Sequence, residues 1–277
     1  MSNQIKTLLL LAGLTGLLML IGYFIGGFLG ISIAFVIALT INFLTYWFSE
    51  KIVLFLYKAK PASGAKYENL HEMVRELANN AGLPKPKIYI VPSPQPNAFA
   101  TGRSPKHATI AVTEGIMQLL DEEELKGVLA HEMAHIKNRD TLVSTVAATI
   151  AGAISYIAII ARFSIFGDRD GKGNIVSIII LSILAPIIAL IVRMAISRSR
   201  EYLADETGAR IIKNANPLAQ ALAKLETSSK QVPMDLGTEA TSHMFIVNPF
   251  TGNAFTNLFL THPSTAKRIG KLRTMKF

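Results

Sequence analysis

The most constraining feature of this sequence is a long stretch without charge near its N-terminus. From Thr7 to Phe48 there is no Asp, Glu, Lys or Arg. A helix needs about 20 apolar residues to cross the hydrocarbon core of a bilayer, so the stretch is long enough for two crossings. Gly26, Gly27 and Gly30 mark a turn between them. We therefore predict a transmembrane helical hairpin, because a cleaved signal peptide has an apolar core of only about 7–15 residues and a small-residue cleavage site.

Two further apolar blocks lie later in the chain, from Leu142 to Ile160 and from Ile175 to Ile191. The charged, glycine-bearing segment from Arg162 to Gly173 separates them. Pro186 would kink the last block without preventing a crossing. Hydroxyl side chains in the earlier block also suit a helix buried against other protein segments. We favour four crossings in total.

The distribution of basic residues predicts an orientation. Lys and Arg are abundant between Lys51 and Arg139 and again after Arg193, whereas the first turn has none and the second balances a few with Asp168 and Asp170. Under the positive-inside rule, the polar regions and both termini face the cytoplasm, as in a multi-pass protein of the cytoplasmic membrane. The net charge of +9 then suits an anionic bilayer surface. No nucleic-acid-binding module accompanies it, so we expect no nucleic-acid partner.

The polar regions predict a small α+β domain that the second pair of spans interrupts. Helical spacing from Tyr67 to Ala81 ends at Gly82. Three short strands follow, at Lys87–Val91, Ala98–Thr101 and His107–Thr113. The predicted fold is a predominantly α-helical integral membrane protein with this α+β domain. Its parts are residues 1–50 (spans at about 7–27 and 29–48), 51–141, 142–196 (spans at about 142–162 and 174–194) and 197–277.

The strongest chemical motif is His131-Glu132-Met133-Ala134-His135, on a helix that begins with a capping box of Asp121 and Glu124. The i, i+4 spacing directs both imidazoles to one face, where a single Zn²⁺ can bridge them. Glu132 between them is then available as a general base. The chain has no cysteine, so every metal ligand must be nitrogen or oxygen. A purely structural histidine pair is the alternative.

A catalytic zinc ion takes three protein ligands and keeps one position open, so a third ligand must come from elsewhere in the chain. Glu201 and Asp205 are four residues apart on a predicted helix and share a face. Glu201 can bind zinc while Asp205 orients a histidine ring. From spacing alone, surface pairing with Arg198 or Arg210 is equally compatible.

The motifs together resemble the HtpX family of M48 membrane metalloproteases over nearly the whole chain. They are Asn97 to Gly102, His131 to His135, Asn138-Arg139-Asp140, the Glu201 and Asp205 pair, and Thr261-His262-Pro263 with Arg268. The resemblance implies a zincin-like domain with one Zn²⁺ on His131, His135 and Glu201. It implies that Glu132 is the base and that Asp205 supports the zinc ligands without binding zinc itself. It also implies an ATP-independent endopeptidase for misfolded or damaged membrane proteins, often under stress.

The sequence also offers candidates for substrate binding and for stabilising the tetrahedral intermediate. Residues Asn97, Ala98, Phe99 and Ala100 form a candidate sheet edge that adds an unfolded substrate as an extra strand. The tetrahedral intermediate needs another donor, for which the downstream candidates are His243, His262 and Arg268. For these three side chains an ordinary surface or cap role is the alternative.

Two rival functions remain at this point. A membrane scaffold or sensor, stapled by zinc, would close the metal with four protein ligands and would have no use for Glu132. A small transporter would carry ionisable residues inside its spans, and the first two spans have none. Both alternatives are less compatible with the sequence than a protease.

Overall fold

The computed structural model describes residues 3–147, 149–150, 198–229, 245–246 and 263–277. The fourth predicted span, most of the third, His243 and His262 lie outside the described residues. The described elements are α1 (Asn3–Leu56), β1 (Lys60–Pro61), a 3₁₀ turn (Ala65–Tyr67), α2 (Glu68–Ala81), β2 (Lys87–Val91), β3 (Ala98–Ser104), β4 (His107–Thr113), α3 (Glu114–Leu119), α4 (Glu122–Lys137), α5 (Arg198–Ile212), α6 (Asn216–Ser229) and α7 (Thr265–Arg273). The chain is thus mostly helical with a small mixed sheet, as predicted.

α1 is divided into two helical arms that form a hairpin. The arms meet at Gly26 and Gly27, the two residues with non-helical backbone angles. Gly27 has φ +57 and ψ −137, a conformation that favours glycine. Gly30, predicted as part of the turn, is instead helical and packs so closely on the first arm that an added Cβ would lie 2.0 Å from the Gly22 carbonyl oxygen. Asn42 Nδ2 donates to Thr15 Oγ1 at 2.8 Å, which ties the arms together.

Within the described residues, one helical segment is long and apolar enough to cross a membrane by length and composition. It runs from Gly26 to Leu56 with a mean hydropathy of 2.2. The first arm contains a shorter apolar helix, Thr7–Leu20. Of the two arms, the second is therefore long and apolar enough to cross a membrane by itself, and the first is shorter.

The sheet has the strand order β1-β2-β4-β3, with β2 and β4 parallel and the other pairs antiparallel. The three predicted strands are confirmed, and β3 continues beyond its predicted end to Ser104. One face of the sheet packs on α2, α4 and α6 through residues such as Leu77, Ile110 and Leu129. The other face packs on the end of α1, where the rings of Tyr57 and Phe99 lie 5.0 Å apart. This packing places β3, an edge strand, beside α4.

The helices of the domain begin and end where their sequence signals predict. α2 ends at Gly82, which adopts the left-handed conformation at φ +69. The capping box is confirmed, since Glu124 N donates to Asp121 Oδ1 at 2.9 Å and Asp121 N donates to Glu124 Oε2 at 3.0 Å. α6 runs from Asn216, one residue before Pro217, to Ser229.

The described start of the predicted third span lies in the protein interior. Residues 141–147 and 149–150 are helical and mostly buried. Thr141 Oγ1 donates to the Gly102 carbonyl at 3.0 Å, and the hydroxyls of Thr145 and Thr101 are 3.0 Å apart. Hydrogen bonds to β3 satisfy these buried hydroxyl groups, so this helical segment packs against the strand.

Candidate metal centre

Helix α4 directs three side chains of the His131-to-His135 motif into one cavity. His131 and Glu132 are only 1% and 4% exposed. The Nε2 atoms of His131 and His135 are 3.1 Å apart, with the rings nearly perpendicular. The i, i+4 spacing thus produces the shared face that the sequence predicted.

Glu201 reaches the same cavity from α5. Its carboxylate oxygens lie 3.8 Å from His131 Nε2 and 3.8 Å from His135 Nε2. One donor atom from each of these three residues lies within 4.8 Å of the others. Spacing alone left surface pairing with Arg210 equally open, but Arg210 pairs with Glu206 instead. The structure thus brings Glu201 to the histidines.

A carboxylate stands behind each imidazole. Asp205 Oδ1 is 2.9 Å from His131 Nδ1. Asp140 Oδ2 is 3.1 Å from His135 Nδ1. Asp140 had been noted only as part of a motif, with no role assigned to it. Its signal in the sequence is its position just after the helix that carries the histidines. In the structure Arg139, the residue before it, has a positive φ of 56.

Arg268 lies behind Asp205. Its Nε and Nη2 donate to the two Asp205 carboxylate oxygens at 2.9 and 2.7 Å, and its Nη1 donates to the Ile246 carbonyl at 2.8 Å. Burial opposes ionisation of Asp205, but Arg268 and His131 outweigh that effect and lower the pKa of Asp205 to about 2. Arg268 is 2% exposed and does not line the cavity. This position does not favour the predicted role of Arg268 in stabilising the intermediate, because its donors are already engaged.

The segment predicted to bind substrate is divided between two environments. Phe99 and Ala100 line the cavity together with His131, Glu132 and Glu201. Asn97 and Ala98 are buried and do not line it. Asn97 instead accepts a hydrogen bond from Ile246 N at 3.2 Å. Of the four predicted residues, Phe99 and Ala100 are the two that the structure brings to the site.

Three carboxylates, those of Glu132, Asp140 and Glu201, line the cavity together with the two histidines. Burial raises the pKa of the Glu132 carboxyl above its ordinary value, although the two histidines act in the opposite direction. Burial by itself lowers the pKa of His135, but Asp140 and two neighbouring glutamates outweigh it and raise that pKa to about 10. The surroundings of His135 therefore favour positive charge.

The donor set fits a divalent cation. Both Nδ1 atoms face carboxylates, so the two Nε2 atoms, 3.1 Å apart, must have a proton or a cation between them. In a tetrahedral zinc site with Zn–N bonds of about 2.0–2.1 Å, two ligand nitrogens are about 3.3–3.4 Å apart. The cavity has a volume of about 40 Å³, enough for an ion and a water molecule. The residues present are therefore able to hold zinc.

Comparison with known proteins agrees with this chemistry. Residues 65–276 match Peptidase family M48. A protease HtpX homolog from Pyrococcus furiosus is 56% identical over 274 residues, covering 97% of this chain and 94% of the relative. Another, from Syntrophobacter fumaroxidans, is 49% identical over 282 residues, covering 99% and 100%.

A solved structure resembles this chain in fold. The crystal structure of S. mikatae Ste24p superposes with a TM-score of 0.52 at 19% identity, covering 98% of this chain. The chain spans only 65% of the length of that protein. From the family match and the HtpX relatives, we conclude that this chain belongs to Peptidase family M48 and is an HtpX-like metalloprotease.

Proposed function

We propose that this metalloprotease is a zinc-dependent endopeptidase of the cytoplasmic membrane that cleaves misfolded or damaged membrane proteins under stress. The observation that carries the chemistry is the convergence of His131, His135 and Glu201 on one buried cavity that also contains Glu132. The substrate class and the stress role rest on the resemblance to HtpX proteases.

In this proposal His131 and His135 hold one Zn²⁺ through Nε2, and Glu201 holds it through its carboxylate. Nitrogen and oxygen donors without thiolate suit zinc in a catalytic site. When bound, zinc supplies a Lewis acid that polarises the scissile carbonyl and lowers the pKa of water. Asp205 and Asp140 keep the ring angles and tautomers fixed, so that both Nε2 atoms stay directed at the same point.

Glu132 acts as the general base. Burial raises the pKa of its carboxyl above the ordinary value, so the carboxylate accepts a proton more readily than an exposed glutamate does. It takes a proton from the attacking water and passes it to the nitrogen of the leaving amine. No acyl-enzyme is needed, because water itself attacks the carbonyl carbon.

The substrate binds along β3. This edge strand pairs with β4 on one side, and Phe99 and Ala100 lie at the cavity. An extended peptide that adds to such an edge is held mainly through its backbone. The apolar side chains of Phe245 and Ile246 also line the cavity. Recognition of extended shape with an apolar preference suits unfolded segments of many sequences.

The helical hairpin anchors the enzyme in the bilayer. Its large apolar side chains are exposed, for example Phe28 at 83%, and a continuous apolar surface of this kind is stable when lipid covers it. With the later apolar blocks, we propose four crossings, with both polar parts and both termini in the cytoplasm.

The test uses the full chain purified in detergent with chelator and then supplied with Zn²⁺. Cleavage of unfolded casein and bound zinc are measured for the unchanged protein and for Glu132→Gln. We expect cleavage by the unchanged protein alone, with equal zinc in both. Equal zinc without cleavage of casein or of any membrane-protein substrate would instead favour the zinc-stapled scaffold.

A further inference from the structure

A second cavity lies at the end of the helical hairpin, away from the metal centre. It is a cleft of about 520 Å³ between the last third of α1 and the start of β2 and turn of the β3–β4 hairpin. Within the described part of the chain, it shares no lining residue with the metal cavity. Its lining combines aromatic side chains of α1, including Phe43 and Trp47, with the cationic side chains of Lys51, Lys87 and Arg103.

The charge of the cleft favours an anion. Among the residues that the structure describes, three cationic side chains line it, against one carboxylate, that of Glu50. That carboxylate is engaged, because Thr109 Oγ1 donates to Glu50 Oε1 at 2.7 Å. The guanidinium carbon of Arg103 lies over the Trp47 ring, 4.4 Å from its centroid, and this cation–π contact holds the guanidinium at the cleft.

The position of the cleft identifies the source of the anion. Trp47 and Tyr46 are exposed at the end of the charge-free stretch, three and four residues before the first charged residue, Glu50. Trp and Tyr are enriched at the level of the lipid headgroups. Phe43, 59% exposed, continues the cleft along the apolar surface of α1. A ligand with a phosphate and an acyl chain fits both parts, whereas a free phosphate uses the cationic part alone.

We propose that this cleft binds the headgroup phosphate of an anionic phospholipid. Arg103, Lys51 and Lys87 contact the phosphate, and the acyl chain lies along Phe43 and Trp47. The inference rests on the proposed membrane placement of α1. Because Arg103 and Ala100 lie on the same strand, a lipid held here ties the edge of the sheet at the metal cavity to the bilayer surface.

Trp47 is the only tryptophan of the chain, so its fluorescence reports on this cleft. The full chain is placed in phosphatidylcholine nanodiscs that contain a fixed small fraction of lipid with dibrominated acyl chains. The brominated lipid is either phosphatidylglycerol or phosphatidylcholine. We expect brominated phosphatidylglycerol to quench Trp47 at least twofold more than brominated phosphatidylcholine at the same fraction.

The excess quenching should disappear in a Lys51→Gln, Lys87→Gln variant. Arg103 is kept in place because its removal would change the emission of Trp47 directly. An Arg75→Gln, Lys276→Gln variant removes the same charge from residues that do not line the cleft, and should retain the excess. Unchanged quenching by brominated phosphatidylcholine shows that the charge variant still folds and inserts.

The other outcomes overturn the proposal in distinguishable ways. Equal quenching by both lipids refutes the headgroup site while leaving the membrane placement intact. Quenching by neither lipid refutes the placement of α1, and the lipid site with it. Equal quenching by both lipids, together with a change in Trp47 emission on addition of inorganic phosphate but not of chloride at equal ionic strength, identifies free phosphate as the ligand and refutes the lipid.

Discussion

Arg268 holds Asp205 with two parallel hydrogen bonds, at 2.9 and 2.7 Å, across 63 residues of chain. Asp205 in turn contacts Nδ1 of His131 at 2.9 Å. The C-terminal helix is thereby linked to the histidine pair on α4 through α5. Because the second pair of predicted spans separates α4 from α5 in sequence, this link helps to assemble the domain across the interruption.

Replacing Arg268 by Gln should destabilise the domain and weaken the metal site together. The change leaves the Asp205 carboxylate buried without its main partner, and breaking a buried ion pair in this way costs about 3–5 kcal/mol. We expect a lower Tm and weaker zinc binding in competition with a chelator, with partial recovery in Arg268→Lys. Lys267→Gln alters an exposed neighbour on α7 and should change neither. Undiminished zinc affinity in a folded Arg268→Gln protein would contradict the link to His131.

Asp140→Asn should reduce zinc affinity about 10- to 100-fold, the range typical of losing a carboxylate behind a ligand histidine. The amide cannot stabilise the His135 ring as the carboxylate does, so the ring loses part of its orientation. Zinc affinity is measured by titration against a chelator, with Glu206→Gln as the control, since Glu206 is an exposed acid paired with Arg210. Equal losses in the two variants would show that general charge, rather than the contact with His135, is responsible.

Removing the metal should destabilise the domain reversibly. The proposed ligands come from α4 and α5, so a bound ion joins the two helices in the folded state only. Chelation should lower the Tm, and stoichiometric Zn²⁺ should restore it. In His135→Ala the Tm should no longer respond to zinc, whereas His107→Ala, outside the metal cavity, should keep the response. A zinc response that survives in His135→Ala would place the metal elsewhere.

Gly208→Ala should separate α4 from α5. A Cβ at this position would lie 2.9 Å from the backbone nitrogen of His131 and 3.0 Å from the Ala130 carbonyl oxygen. Because backbone atoms cannot move aside cheaply, we expect a loss of about 1–3 kcal/mol, as for an overpacked core, and lower peptidase activity as Glu201 shifts. Gly270→Ala on α7 meets nothing within 4 Å and should be neutral or slightly stabilising. Chemical unfolding and casein cleavage measure both variants.

The local features of the fold were predictable because their causes are local. The capping box of Asp121 and Glu124 lies within one turn of helix, and Gly82 ends α2 through its own backbone conformation. The shared face of His131 and His135 follows from helical periodicity alone. Residues adjacent in sequence determine all three, so no tertiary contact was needed to infer them.

Which distant residues meet was not determined by such patterns. Periodicity places Glu201 and Asp205 on one helical face but is silent on whether that face meets solvent or α4. Gly208, by allowing the close approach of α5, and Arg268, by pairing with Asp205, complete the contact. The sequence by itself determined the helices, the strands and the residue types able to bind a metal. Tertiary packing alone decided which carboxylates surround the histidines, because close packing and charge pairing act between segments far apart in the chain.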